Sequence, residues 1–247
     1  MKEYPTAQIR NAVLTGHTST GKTTLIESLL FYNKLIDRVG TVDAGNTQAD
    51  YDPEEIKRKT SIFSKLFPIE AGGCKINLLD TPGFRDFLAE TRASVRVSDL
   101  AVIVVDAVNG SEVGTELAWG YCDEFETPRA VFVNKMDKER ADFDKVIAEL
   151  TEEFSARVVP VALPIGREAS FKGVVDLITM KACIDKIGEK PQWIDIPADM
   201  QDAAAAARSA LVEAAAEGDD SLTEKFLMEE TLDDEEVLRG LRAALAA

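Results

Sequence analysis

Ala12-Val-Leu-Thr-Gly16-His17-Thr18-Ser19-Thr20-Gly21-Lys22-Thr23-Thr24 is the stretch whose reading decides the fold. It holds the pattern G-x-x-x-x-G-K-[ST]. A short apolar run precedes it, and Leu25, Ile26, Leu29 and Leu30 follow at helical spacing. Strand, glycine-rich turn and helix form the context in which that pattern cradles phosphate groups. The glycines let the N–H groups of the loop, from His17 to Thr20, turn inward around phosphate oxygens. The helix opening at Lys22, with Thr24 in its first turn, adds its positive end. Lys22 is then placed to reach the β- and γ-phosphates and the Thr23 hydroxyl to ligate Mg²⁺. A glycine-rich turn with no ligand is the bland alternative, and the flanking periodicity argues against it.

Working outward, the first 155 residues alternate short apolar runs with amphipathic ones. Residues 12–15, 61–70, 74–79, 101–106 and 130–134 read as strands, mostly of the kind buried on both faces. The spacing predicts helices over residues 22–32, 87–97, 113–125 and 142–154. This alternation implies an α/β chain: a mostly parallel sheet flanked by helices, the P-loop NTPase fold. Residues 38–58 fit neither pattern. They are polar, contain Gly40, Gly45 and Pro53, and read as one long functional loop. After Phe154 the texture changes. Residues 158–165 and 172–178 look like strands, and the Ala-, Glu- and Asp-rich chain from Ala198 reads as two or three acidic helices. A boundary near residues 155–158 separates a P-loop core, residues 1–156, from an α+β subdomain, residues 157–247.

Composition narrows the class further. The 247 residues carry 28 Lys and Arg against 44 Asp and Glu, a formal net charge of −16. Residues 195–247 alone carry 14 acidic and 4 basic side chains. A basic nucleic-acid binder is disfavoured, and direct DNA binding is not expected. The longest strongly apolar run, Leu100 to Val105, is far short of the roughly 20 residues a membrane helix needs, so no membrane association is expected. The amino-terminal residues lack the apolar core of a secretory signal. Cys74, Cys122 and Cys183 are far apart and read as reduced, buried thiols of a cytoplasmic protein.

Two further motifs sit at strand ends. Asp80-Thr81-Pro82-Gly83 closes the strand 74–79, 58 residues after Lys22. A carboxylate at the end of a buried strand can hold Mg²⁺ directly or through water, and the Gly83 N–H can meet a γ-phosphate. Taken alone, D-T-P-G is an ordinary turn. Asn134-Lys135-Met136-Asp137 closes the strand 130–134. Guanine offers N1–H and its 2-amino group as donors, and one carboxylate accepts both. Adenine leaves such an acid unpaired, which is costly. Asp137 is therefore the candidate base reader, Asn134 its support, and the Lys135 stem can pack along the base. An ATP-using kinase leaves this motif unexplained.

P-loop, D-x-x-G and N-K-x-D in this order resemble a GTPase. Gly-His-Thr-Ser-Thr-Gly-Lys-Thr-Thr resembles the translational GTPases, and within them the chain is similar to the N-terminal G domain of elongation factor G. Asp80-Thr-Pro-Gly-Phe-Arg-Asp-Phe87 and Asn134-Lys-Met-Asp-Lys with Ala141-Asp-Phe143 carry the likeness. So does Leu163-Pro-Ile-Gly166 with Phe171-Lys-Gly-Val-Val-Asp-Leu177, a stretch similar to the insert that family carries in its G domain. The resemblance implies GTP as substrate, GDP as product, Mg²⁺ as cofactor, and the ribosome as partner of the full-length protein. It also implies a domain cut from a longer chain, lacking the last core strand and the guanine-supporting loop. For this fragment it implies a monomer with weakened nucleotide affinity and weak or absent GTPase activity.

The departures point to a divergent paralogue. The family's water-positioning His is Phe84 here, beside Lys22 and Gly83 of the hydrolytic set, and Phe can neither donate nor accept a conventional hydrogen bond. The family's Mg²⁺-binding switch Thr falls by register on Ser61, although Thr60 is adjacent. The P-loop Asp common in the family is Ser19. These three changes motivate an alternative, a module that senses GTP or GDP without hydrolysing it. His17, the only histidine, reads as a structural polar contact rather than a base. Arg85 and Arg92 read as solvated residues rather than arginine fingers, and Trp119 and Trp193 as packing residues.

Overall fold

The apolar runs around the glycine-rich loop become the middle of a five-stranded sheet. In the computed structural model, which describes residues 3–184 and 191–246, the strands are β1 (Ile9–Thr15), β2 (Lys65–Ala71), β3 (Cys74–Asp80), β4 (Leu100–Asp106) and β5 (Arg129–Asn134). Their order is β2-β3-β1-β4-β5. β3, β1, β4 and β5 run parallel, and β2 is antiparallel to β3 at one edge. The parallel register brings the carboxyl ends of β1, β3, β4 and β5 to one edge of the sheet, where ligands bind in open α/β folds. Helices α1 (Lys22–Tyr32), α3 (Leu88–Arg96) and α4 (Val113–Phe125) join the strands. Leu14, Ile26, Leu30, Ile69 and Leu78 form a core between α1 and the sheet, and Ile103, Val104 and Val105 of β4 are fully buried.

The supposed long loop contains a helix, α2 (Pro53–Arg58). Asp52 accepts from Glu54 N at 2.8 Å, and Glu55 returns a bond to Asp52 N, a capping box with proline at the first helical position. The signal Asp52-Pro-Glu-Glu55 was present in the sequence; the surrounding glycines and polar residues outweighed it. The strand expected over 61–70 starts only at Lys65, because residues 62–64 are drawn into bonds with Glu55 and Glu90 instead of a ladder. The helix expected from Phe87 is preceded by a tight turn over Arg85–Phe87.

The chain divides into two compact units, Met1–Lys135 and Met136–Ala247. This differs from the boundary at 156/157, since helix α5 (Phe143–Phe154) groups with the second unit. Asp142 caps α5 through Lys145 N, and Val146 and Leu150 mark its buried stripe. The second unit also holds an antiparallel sheet of β6 (Ala162–Ile165), β7 (Gly173–Asp176), β8 (Lys181–Ile184) and β9 (Gln192–Ile194). β8 and β9 are not anticipated by the sequence reading. They are about as short as β6 and β7, but those lie within the longer runs 158–165 and 172–178, and β8 and β9 lie in no such run. Three helices follow, α6 (Gln201–Ala216), α7 (Asp220–Glu229) and α8 (Asp234–Ala246). Leu177, Leu211, Leu222 and Val237 lie at the centre of this unit. Trp193 is 57% exposed on β9, so it is not the packing residue expected. Of the three thiols only Cys122 is buried; Cys74 and Cys183 are half-buried. Among the described residues no helix is long and apolar enough to cross a membrane.

Candidate functional site

The loop between β1 and α1 closes over its own lysine. Lys22 Nζ donates to Gly16 O at 3.1 Å and His17 O at 2.6 Å. Its burial pushes the pKa down to about 8, against the pull of Asp80. Gly21 has φ +99° and opens α1 in the left-handed region, where a Cβ would also strike Asn134 Nδ2 at 2.4 Å. Asn134 Nδ2 donates to Thr20 O at 2.8 Å and so ties the end of β5 to the loop. The Thr20 hydroxyl donates to His17 O, Ser19 is exposed with φ +62°, and Thr24 is exposed. Thr18 lies against Gly83 on the β3–α3 loop.

A cluster of hard oxygen atoms stands beside this loop. Thr23 Oγ1 donates to Asp80 Oδ2 at 2.8 Å and lies 3.3 Å from Ser61 Oγ. Asp80 is 1% exposed, and its other oxygen, Oδ1, has no hydrogen-bond partner among the described residues. Burial pushes its pKa up to about 6; the Thr23 hydroxyl and Lys22 oppose that shift, while Asp50 adds to it. Asp50 is 3% exposed, and neither of its oxygens has a hydrogen-bond partner among the described residues. Burial raises its pKa too; the nearby Ser61 hydroxyl offsets part of this, and Glu55 adds to it. Orphaned, buried carboxylate oxygens next to two hydroxyls are the donor set of a hard divalent cation such as Mg²⁺. Asp50 escaped the sequence reading because it lies in a polar stretch where carboxylates are normally solvated. Only its burial distinguishes it.

At the end of β5, Lys135 takes φ +62° and its Nζ donates to Asp106 Oδ2 at 2.7 Å. Burial works against the Asp106 charge, but the Lys135 and Val108 N–H bonds prevail and hold its pKa below the usual range. Asp137 falls in the second unit. Its side chain is exposed, 3.9 Å from Lys138 Nζ.

Other candidates are placed plainly. His17 Nδ1 accepts from Gly114 N at 3.2 Å, which leaves the proton on Nε2, 3.5 Å from Glu112 Oε1. It links the loop to the start of α4. Phe84 is 47% exposed. Arg92 is bound to Glu124 and lies over the Phe125 ring, and Arg85 is exposed.

A parallel sheet with a glycine-rich phosphate loop, a carboxylate on the neighbouring strand and N-K-x-D beyond defines a P-loop GTPase. The family model described as "Elongation factor Tu GTP binding domain" matches residues 7–237, and the chain belongs to that family. It is also similar to a crystal structure from Thermus thermophilus, with a TM-score of 0.89 and 32% sequence identity. That match covers 97% of this chain and 36% of the other, so the chain spans about a third of the length of that relative.

Proposed function

We propose that this chain is the GTP-binding and GTP-hydrolysing domain of an elongation factor G-like translational GTPase acting on the ribosome, a divergent paralogue. The observation that carries the reading is the cluster of buried Lys22, Thr23 and Asp80 with half-buried Ser61 beside the phosphate loop. The loop N–H groups and Lys22 bind the β- and γ-phosphates and stabilise charge as water attacks the γ-phosphate in line. The Gly83 N–H faces the same phosphate. Thr23, Asp80 and Ser61, with Asp50 alongside, would hold Mg²⁺, which neutralises charge on the phosphate oxygens. Asp137 reads the base, and Asn134 and Lys135 of the same motif support it. Burial works in favour of phosphate binding, because a desolvated Lys22 gains more from an anion than a solvated lysine does.

Calorimetric titration of this chain with GDP, GTP and ATP, with and without Mg²⁺, tests the reading. Guanine-selective binding that tightens with Mg²⁺ is expected, and equal binding of ATP would refute it. Phe84 favours a second reading, a module that senses GTP or GDP without hydrolysis, because an exposed phenyl ring cannot orient a water molecule. Single-turnover phosphate release from the full-length protein on ribosomes separates the two, and robust release eliminates the sensor.

A further inference from the structure

The segment between α1 and β2 is fastened by two carboxylates with no exposed surface. Glu27, on α1, accepts from Gly40 N at 3.0 Å and Gln48 N at 2.5 Å. Glu55, on α2, does more. Its Oε1 accepts from Ile62 N at 2.8 Å and Phe63 N at 3.1 Å and is paired with Lys65 Nζ, while Oε2 takes the Asp52 N–H. Lys65 is 7% exposed and belongs to β2, which is paired along its whole length with β3. The Tyr51 and Phe63 rings lie 5.4 and 5.9 Å from its ammonium and help to shield the pair. One carboxylate therefore ties the start of α2 and the backbone at 62–63 to a rigid strand. Ser61, whose hydroxyl lies 3.3 Å from Thr23 Oγ1, immediately precedes those two bonds.

We propose that Glu55, anchored by Lys65, is a positioning residue for the divalent-cation site: it fixes the Ile62–Phe63 backbone and thereby sets the Ser61 hydroxyl beside Thr23 and Asp80. This rests on the reading of that site as one for Mg²⁺ and GTP. The carboxylate touches neither the cation nor the nucleotide. Such an outer partner orients a ligand that on a free loop would lose conformational entropy at the moment of binding.

The test compares two charge-neutral pairs, so that neither leaves a lone buried charge. Glu55→Gln/Lys65→Met keeps an acceptor for the Ile62 and Phe63 amides, and Glu55→Ala/Lys65→Met does not. Mn²⁺ affinity of the GTP-bound protein is read by electron paramagnetic resonance, and amide exchange by mass spectrometry. The Gln version is expected within about threefold of wild type, and the Ala version about 10- to 100-fold weaker, a loss typical of removing an outer partner. GTP affinity in EDTA should be unchanged in both. Ser61→Ala should weaken Mn²⁺ binding in the wild type and add nothing in the Ala version. If the Ala version does not fold, Glu55→Leu/Lys65→Met, which fills the space, replaces it. Equal Mn²⁺ affinity in the Gln and Ala versions, or an undiminished Ser61→Ala effect, overturns the proposal. If the wild type binds no GTP, the proposed function fails. Exchange at Ile62 and Phe63 in the nucleotide-free protein then still decides the clamp, and equal exchange in the Gln and Ala versions overturns it.

Discussion

Asp80→Asn should stabilise the nucleotide-free, metal-free protein while removing a carboxylate of the proposed cation site. Burial raises the Asp80 pKa from 3.8 to about 6 in the folded chain. The folded state therefore holds a proton that the unfolded state releases between those two values. By linkage, stability falls as pH rises through that window and stays lower above it. At about 1.4 kcal/mol per factor of ten in proton affinity, burying the Asp80 carboxyl costs about 3 kcal/mol at pH 7.5, where it is charged, and about 1.5 at pH 5, where it must first take up a proton. Asparagine removes that cost and can still accept the Thr23 bond, but it buries an unpaired N–H worth about 1 kcal/mol. The expected gain is about 2 kcal/mol at pH 7.5, shrinking to about 0.5 kcal/mol at pH 5. Urea unfolding in EDTA at the two pH values measures it. No gain at pH 7.5, or the same gain at both, would refute the reasoning. With Mg²⁺ and GTP added the order should invert, because ligand binding stabilises only the protein that can bind.

Gly83→Ala puts a Cβ 2.6 Å from Lys22 Nζ and 2.7 Å from the Thr18 backbone, which cannot give way without moving the phosphate loop. Thermal unfolding should show a loss of about 1–3 kcal/mol, and GTP titration a clear weakening; unchanged affinity would show that the two loops can separate freely. Phe84→His in the full-length protein should raise ribosome-stimulated turnover about 100-fold, the scale of one well-placed proton-handling group. Equal rates in both versions would mean that the missing imidazole is irrelevant here. Asp137→Ala should cut the preference for GTP over ATP about 100-fold, measured by competition titration; retained preference would remove Asp137 from base recognition.

The fold was legible in the sequence because its evidence is local. Gly16 to Thr23 dictates strand, turn and helix by backbone freedom alone, and the apolar runs of β1, β3, β4 and β5 are long enough to show their character. The helix at Pro53 was legible in principle through its capping box, but glycine and polar neighbours hid it. β8 and β9 were not legible, since unlike the equally short β6 and β7 they lie in no longer apolar run.

The sequence by itself determined the class of this protein. Three motifs, each at a strand end, specify groups that can meet phosphate, cation and base, and that information is carried by residue type and spacing. Only the tertiary structure decided which polar residues lose their water. Asp50 and Glu55 look like ordinary surface acids in a polar stretch, and Glu27 like an acid on the outer face of a helix, yet all three are buried. Likewise His17 finds its partners at Gly114 and Glu112, about a hundred residues away. Desolvation depends on what packs over a side chain. It therefore arises from contacts that residue type alone does not show, and these turn an unremarkable glutamate into the anchor of the Ile62–Phe63 backbone.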